Sequence, residues 1–216
     1  MRDFGIGAQM EYLEKSYDYE GRFSSYWYQI QAIWNVVERG DSILEIGPGN
    51  NFLKDYLSRR GILVETLDIT AETEPTYSGS VASIPCSNEK FTCVCAFEVL
   101  EHQPFELLIS SLAEMSRVSK NVVLFSVPDI RWCLSYDLNI GSSNHRFRKS
   151  FSVPRLIQRP LPQARSPEDH YWEIGRRNFS VARILSEIAK TETMKCERHY
   201  RIPSNPIHHM FVLAKK

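Results

Sequence analysis

Paired cysteines are missing from this 216-residue sequence. Its five (Cys86, Cys93, Cys95, Cys133, Cys196) form an odd set without a C-x-x-C pair. That pattern argues against a disulfide framework and against a thiolate zinc site, and leaves buried or idle thiols as the expectation. No apolar run approaches the ~20 residues that a membrane-spanning helix needs. The opening MRDFGIGAQM lacks the basic-then-apolar build of a secretory signal, so a cytoplasmic protein with no membrane partner is expected. Repeats and low-complexity segments are lacking too. Net charge is lacking as well: 26 Lys and Arg balance 26 Asp and Glu, which weighs mildly against a general nucleic-acid binder. The balance hides an asymmetry, with 10 basic and 18 acidic residues over 1–128 but 16 and 8 over 129–216.

What the chain does have is enough apolar residue, 43%, for one good core, and its length favours a single domain over 1–216. In 22–37, Tyr26, Ile30, Ile33 and Val37 recur at helical intervals, so a helical cap over 1–40 is expected to cover one end of a sheet. From Asp41 short β-branched runs alternate with amphipathic stretches. SILEI (42–46), ILVETLD (62–68), TCVCAF (92–97) and NVVLFSV (121–127) read as strands. NFLKDYLSRR (51–60) and FELLISSLAEMSRVS (105–119) read as helices, the second with Pro104 at its first position. Near-continuous apolar strands imply a mostly parallel sheet covered on both faces. FSVARILSEIAK (179–190) reads as a last helix, and 192–200 with 207–215 as a closing strand pair. Between them, 129–178 is rich in proline and arginine and is expected to be an inserted substrate lid.

The chemistry concentrates where SILEI runs into GPGNN. In an open parallel sheet, ligands bind outside the carboxyl ends of the strands, and Gly47 and Gly49 let a ligand approach the backbone there. A dinucleotide turn would want a third small residue where Phe52 stands, and Glu45 would repel a pyrophosphate. A cationic ligand fits a carboxylate beside bare backbone better: S-adenosylmethionine carries a sulfonium and an ammonium. Asp68 follows Gly47 by 21 residues, about the spacing at which an acidic side chain takes ribose hydroxyls.

Taken together, ILEIGPGNN, LDI (67–69), GSVASIPCSNEKFTCVCAFEVLEH (79–102) and NVVLFSVP resemble the class I S-adenosylmethionine-dependent methyltransferases, of the type 11 and type 23 kind. The resemblance runs from about Asp41 to Ser126 and more loosely to the C-terminus. It implies an α/β fold: a doubly wound, mostly parallel, seven-stranded Rossmann-like sheet with helices on both faces and an antiparallel last strand. It also implies S-adenosylmethionine bound by Glu45, Gly47, Pro48, Gly49, Asp68, Ile69, Val81 and Phe97. Three positions depart from the family pattern. Asn51 stands for a third glycine, Ser80 for the adenine-binding aspartate, and Thr92 for a partly buried aspartate.

Methyl transfer is an in-line displacement, so the protein positions a nucleophile and removes its proton where it is a hydroxyl. His170, His102 and Glu101 are the candidate catalytic residues, with His170 as base. The resemblance also reaches the small-RNA 3′-terminal 2′-O-methyltransferases, in which Glu98, Glu101, His102 and His170 would correspond to a Mg²⁺ site. Over 131–177 there are nine Arg and Lys against four acids, interleaved with Trp132, Tyr136, Phe147, Tyr171 and Trp172. Arginine forks suit phosphate or carboxylate and aromatic faces suit a sugar or base. The expected acceptor is therefore a small molecule or glycan, anionic and sugar- or sugar-phosphate-like, methylated on oxygen. RNA is the runner-up substrate, and a non-catalytic partner subunit the second class. A homodimer through the aromatic N-terminal helix is a further expectation.

Overall fold

The computed structural model describes residues 19–139, 146–152 and 170–216. Helix α1 (Glu20–Trp34) precedes β1 (Ser42–Ile46), α2 (Phe52–Ser58), β2 (Leu63–Asp68) and the two-residue β3 (Tyr77–Ser78). Strand β4 (Phe91–Phe97), α3 (Leu108–Val118), β5 (Ser119–Pro128), a hairpin β6 (Cys133–Asn139) with β7 (Arg146–Ser152), α4 (Val181–Lys190), β8 (Met194–Ile202) and β9 (Asn205–Lys215) follow. Seven strands form one sheet in the order β3-β2-β1-β4-β5-β9-β8. Every pairing from β3 to β5 is parallel, and β9 is antiparallel to both neighbours.

The central strands β1, β4 and β5 are buried on both faces, and their period of two sorts the core. Ile43, Cys93, Cys95, Leu124 and Met210 meet Ala32, Ile33 and Val37, from α1 and the turn after it, and Leu57 of α2 on one face. Leu44, Val94, Ala96, Phe125 and Phe211 meet Leu108, Leu112 and Met115 of α3 and Ile184 and Ile188 of α4 on the other. Burial of Cys93 and Cys95 pushes both thiols far up, so they are inert core residues. Tyr26, Ile30, Ile33 and Val37 all face inward, as their spacing predicts. Pro104 opens a single 3₁₀ turn (Phe105–Leu107) before α3 rather than standing at its first position.

The 129–178 segment departs most from expectation. Its described part contains the β6–β7 hairpin, with Cys133 opposite Ser152 and Asn139 opposite Arg146. Trp172 and Ile174 are fully buried in the main core. Trp172 packs edge-on to Phe105 and donates its indole N–H to the Leu100 carbonyl. It is therefore not a stacking surface for a substrate, whereas Trp132, Tyr136 and Tyr171 are exposed. Residues 1–18, 140–145 and 153–169, part of the expected cap and lid, lie outside the described residues.

The root of this segment is tied by one buried carboxylate. Asp129 Oδ1 accepts from Arg131 Nε (2.9 Å), while Oδ2 accepts from Arg131 Nη2 (2.6 Å) and His209 Nδ1 (3.0 Å). Arg201 Nε stands 3.3 Å from Oδ2, and its Nη2 donates to the Asp129 and Arg131 carbonyls. Burial pushes the Asp129 carboxyl up, yet these donors outweigh it and hold the group at about 2. Replacing one partner of a buried ionic cluster strands the others, so Asp129→Asn is expected to cost about 3–5 kcal/mol at pH 7. Because the folded carboxyl is depressed, its contribution is present above the usual carboxylate range and fades as pH falls towards 2. Urea unfolding of both proteins at pH 7 and pH 3 checks this: the gap between them should narrow in acid.

Candidate active site

The strand order reverses between β1 and β4, which opens a crevice at their carboxyl ends. Gly47 there has φ +67°, and a Cβ added to it would lie 2.5 Å from Val99 Cγ2, so only glycine serves. Gly49 and Asn51 are also left-handed, at φ 53° and 60°. Asn51 thus takes the backbone shape that glycine would supply, and its Nδ2 donates to the Thr73 carbonyl. The turn survives the substitution.

A cleft of about 410 Å³, part of it open to solvent, runs along this turn. Glu45, Gly47, Pro48, Gly49 and Phe97 line it on the sheet side. Arg22, Ser25, Tyr26 and Gln29 of α1 form the opposite wall, and Leu53, Glu98 and His208 complete it. Helix α1 is held against the turn by Tyr26, which stacks on Phe52 at 4.3 Å and donates its hydroxyl to Asn50 Oδ1 (3.2 Å). The remaining expected contacts lie elsewhere. Asp68 ends β2 with its carboxylate oriented by the Thr70 N–H and the Thr73 hydroxyl. Ile69 is 70% exposed, and the Val81 side chain is buried in the core.

Two residues of the cleft lining carry a buried acceptor without a partner among the described residues, Glu45 Oε2 and Gln29 Oε1. Burial pushes Glu45 up to about 8, against a backbone N–H and the charge of Lys54. Glu98, just past β4, sits at φ 56°, a strained conformation for a non-glycine residue. Its Oε1 accepts from Ser126 Oγ at 2.7 Å, and its Oε2 lies 3.7 Å from His208 Nε2. Burial raises it to about 7.

Beside the cleft, Glu101, His102 and His170 bring ligand atoms within 4.8 Å of one another. Glu101 is fully buried, and neither oxygen has a hydrogen-bond partner on another residue among those described. Burial, with the charges of Glu98 and Glu173, pushes it well above the usual range. The His102 and His170 rings meet edge to face at 4.8 Å, and His170 Nδ1 is 2.8 Å from Glu173 Oε1. Three of the four expected metal ligands thus converge. Glu98 points instead to Ser126 and His208. None of the three converging residues lines the cleft.

Sequence reasoning missed Arg22, Ser25, Gln29 and His208. A signal was there for the first three, polar residues at i, i+3 and i+7 on the buried face of an apolar helix. His208 had only its place in the last apolar strand.

Residues 22–183 match the family model described as a methyltransferase domain, and the chain belongs to that family. No curated protein matches. The fold is similar to that of magnesium protoporphyrin IX methyltransferase from Synechocystis PCC 6803, solved with bound S-adenosylmethionine (12% identity, 100% of this chain and 95% of that one, TM-score 0.62). It is also similar to a SAM-dependent methyltransferase from Aquifex aeolicus (13% identity, 96% and 98%, TM-score 0.60). Against solved structures from Anabaena variabilis and Galdieria sulphuraria the chain spans about half their length, 46% of each.

A carboxylate only half satisfied inside the fold has a stability cost with a defined sign. The folded Glu45 holds its proton up to about 8 while the unfolded one loses it near 4.5, so stability falls as pH rises between those values. Glu45→Gln should escape that loss and exceed the wild type by roughly 1–3 kcal/mol at pH 8.5. At pH 5 the advantage should vanish. Denaturant unfolding at the two pH values measures it, and parallel curves would mean that Glu45 is already compensated.

Proposed function

We propose that this chain transfers a methyl group from S-adenosylmethionine to a hydroxyl of a small anionic acceptor, of sugar or sugar-phosphate type. The observation that carries the donor half is the pair of unpartnered acceptors, Glu45 Oε2 and Gln29 Oε1, beside the bare backbone of Gly47 and Gly49. An ammonium and a sulfonium need that combination of acceptors and open backbone. Asp68, already oriented at the end of β2, is the ribose partner, with Ile69, Val81 and Phe97 around the adenine. Arg22 in the cleft wall and the arginine-rich 131–177 segment support an anionic acceptor.

A second reading rests on the Glu101, His102 and His170 group. A carboxylate with two orphan oxygens facing two imidazoles is a donor set that fits a divalent cation. These residues would hold Mg²⁺ or Mn²⁺, which supplies Lewis acidity to a bound diol and favours an RNA 3′-terminal acceptor. Titrating Mn²⁺ alone into the wild type and Glu101→Ala tests the site without any substrate, and equal, negligible heats would dismiss it.

The cofactor assignment has a proton signature. At pH 7 the free protein keeps Glu45 protonated, and a bound cation displaces that proton. Calorimetric titration with S-adenosylmethionine in buffers of different ionisation heat should show proton release, about one proton less in Glu45→Gln, with affinity rising from pH 6 to 8. Labelled-methyl transfer to glucuronate and glucose 6-phosphate, against neutral glucose and RNA, then tests the acceptor class. Binding without transfer to any acceptor would favour a non-catalytic subunit.

A further inference from the structure

In strand order, the carboxyl edge runs from Asp68 on β2 through the glycine turn after β1, Glu98 after β4 and Asp129 after β5 to His208 on β9. A cofactor seated on Asp68 and the glycine turn has its methyl end towards β4. The space beyond Glu98 is then left to the acceptor. His208 stands there, in register with Pro128 of β5 and 7% exposed, on the wall of the cleft.

Its orientation is fixed by a network reaching back to the other end of the chain. Ser25 Oγ lies 3.0 Å from His208 Nδ1, accepts from Asn205 Nδ2 (2.9 Å) and donates its one proton to the Gly21 carbonyl (3.2 Å). Where that proton stays on Gly21 rather than turning to Nδ1, Ser25 offers the ring only a lone pair. In that arrangement the proton of the neutral ring resides on Nδ1 and the free lone pair on Nε2. Glu98 Oε2 stands 3.7 Å away, too far for a direct hydrogen bond. With Glu98 ionised both are acceptors, and a hydroxyl between them satisfies the pair.

We propose that His208 Nε2 is the base that takes the hydroxyl proton of the acceptor during methyl transfer, with Ser25 and Asn205 as its positioning residues. The inference rests on the methyltransferase reading above. The O–H bond gives its proton to Nε2, the oxygen forms a bond to the methyl carbon, and the S–CH₃ bond breaks. The sulfonium leaves as the neutral thioether of S-adenosylhomocysteine, and the imidazolium is balanced by Glu98. Burial, then the charge of Arg22, depress His208 to about 4, so the ring carries no extra proton at neutral pH. His170, by contrast, lies outside the cleft, with its Nδ1 on Glu173.

The test has two arms, and the first needs no acceptor. In protein labelled with ¹⁵N at histidine and saturated with S-adenosylhomocysteine, the His208 signals, assigned by their loss in His208→Asn, should report an Nδ1–H tautomer. Ser25→Ala should shift them. An Nε2–H tautomer would make His208 a donor to Glu98 and overturn the proposal. In the second arm, His208→Asn should keep S-adenosylhomocysteine affinity within about threefold and cut single-turnover transfer by roughly 10²–10⁴-fold. His170→Ala should cut it far less. Unchanged transfer in His208→Asn, or in His208→Gln should the first variant not fold, would remove the base role. If the wild type methylates no acceptor, the acceptor reading fails and the tautomer arm still decides the role of His208.

Discussion

Asp129 carries its negative charge inside the protein, and the donors around it come from three places in the chain. Arg131 belongs to the stretch between β5 and β6, Arg201 to β8 and His209 to β9. Together they pin the end of β5 to the closing strand pair at the edge where the cleft opens. His209 passes the network outward to His199 at 3.0 Å. A buried ion with this many charge-assisted hydrogen bonds specifies one arrangement, because any slip of β9 against β5 would strand it. The register that places His208 opposite Pro128 follows from that lock.

The carboxylates that line or flank the cleft are built the other way. Glu45 and Glu101 are buried like Asp129, yet among the described residues one Glu45 oxygen has no hydrogen-bond partner and neither Glu101 oxygen has one on another residue. Glu98 is held by Ser126 but bears a left-handed backbone. Each choice costs folding free energy that the same chain avoids at Asp129. Desolvation has raised all three towards or beyond neutrality, so an arriving cation can displace a proton from each. Sites that must bind or react tend to be stabilised less than their surroundings.

The fold was legible because its signals are local and redundant. Four β-branched runs, the helical stretches between them and the closing strand pair each carry their own period. The two-residue β3 was not legible, since so short a segment has no period. The hairpin β6–β7 was hidden by composition: a stretch rich in proline and arginine reads as a loop, and only the pairing of Leu134 with Phe151 and Tyr136 with Lys149 shows otherwise. Trp172 misled for a related reason, because its burial depends on Phe105 and Phe179, which the sequence does not place beside it. At the site, the glycine turn and Glu45 could be read from consecutive residues. The wall opposite them could not, because it joins α1 to the turn and to β9.

That contrast divides the cleft into halves of different kinds. The half at Glu45, Gly47 and Gly49 is built from one strand and its turn, and it forms wherever β1 pairs with β4. The half at Ser25, Asn205 and His208 joins residues about 180 positions apart, so it exists only after the last strand has docked against both β5 and α1. Closing so long a loop is entropically costly and is repaid only once the whole sheet is in place. Substitutions in α1 or β9 can therefore remodel the far wall without disturbing the glycine turn. A fold arranged this way can keep one donor and change its acceptors, which is the division of labour that a methyltransferase family requires.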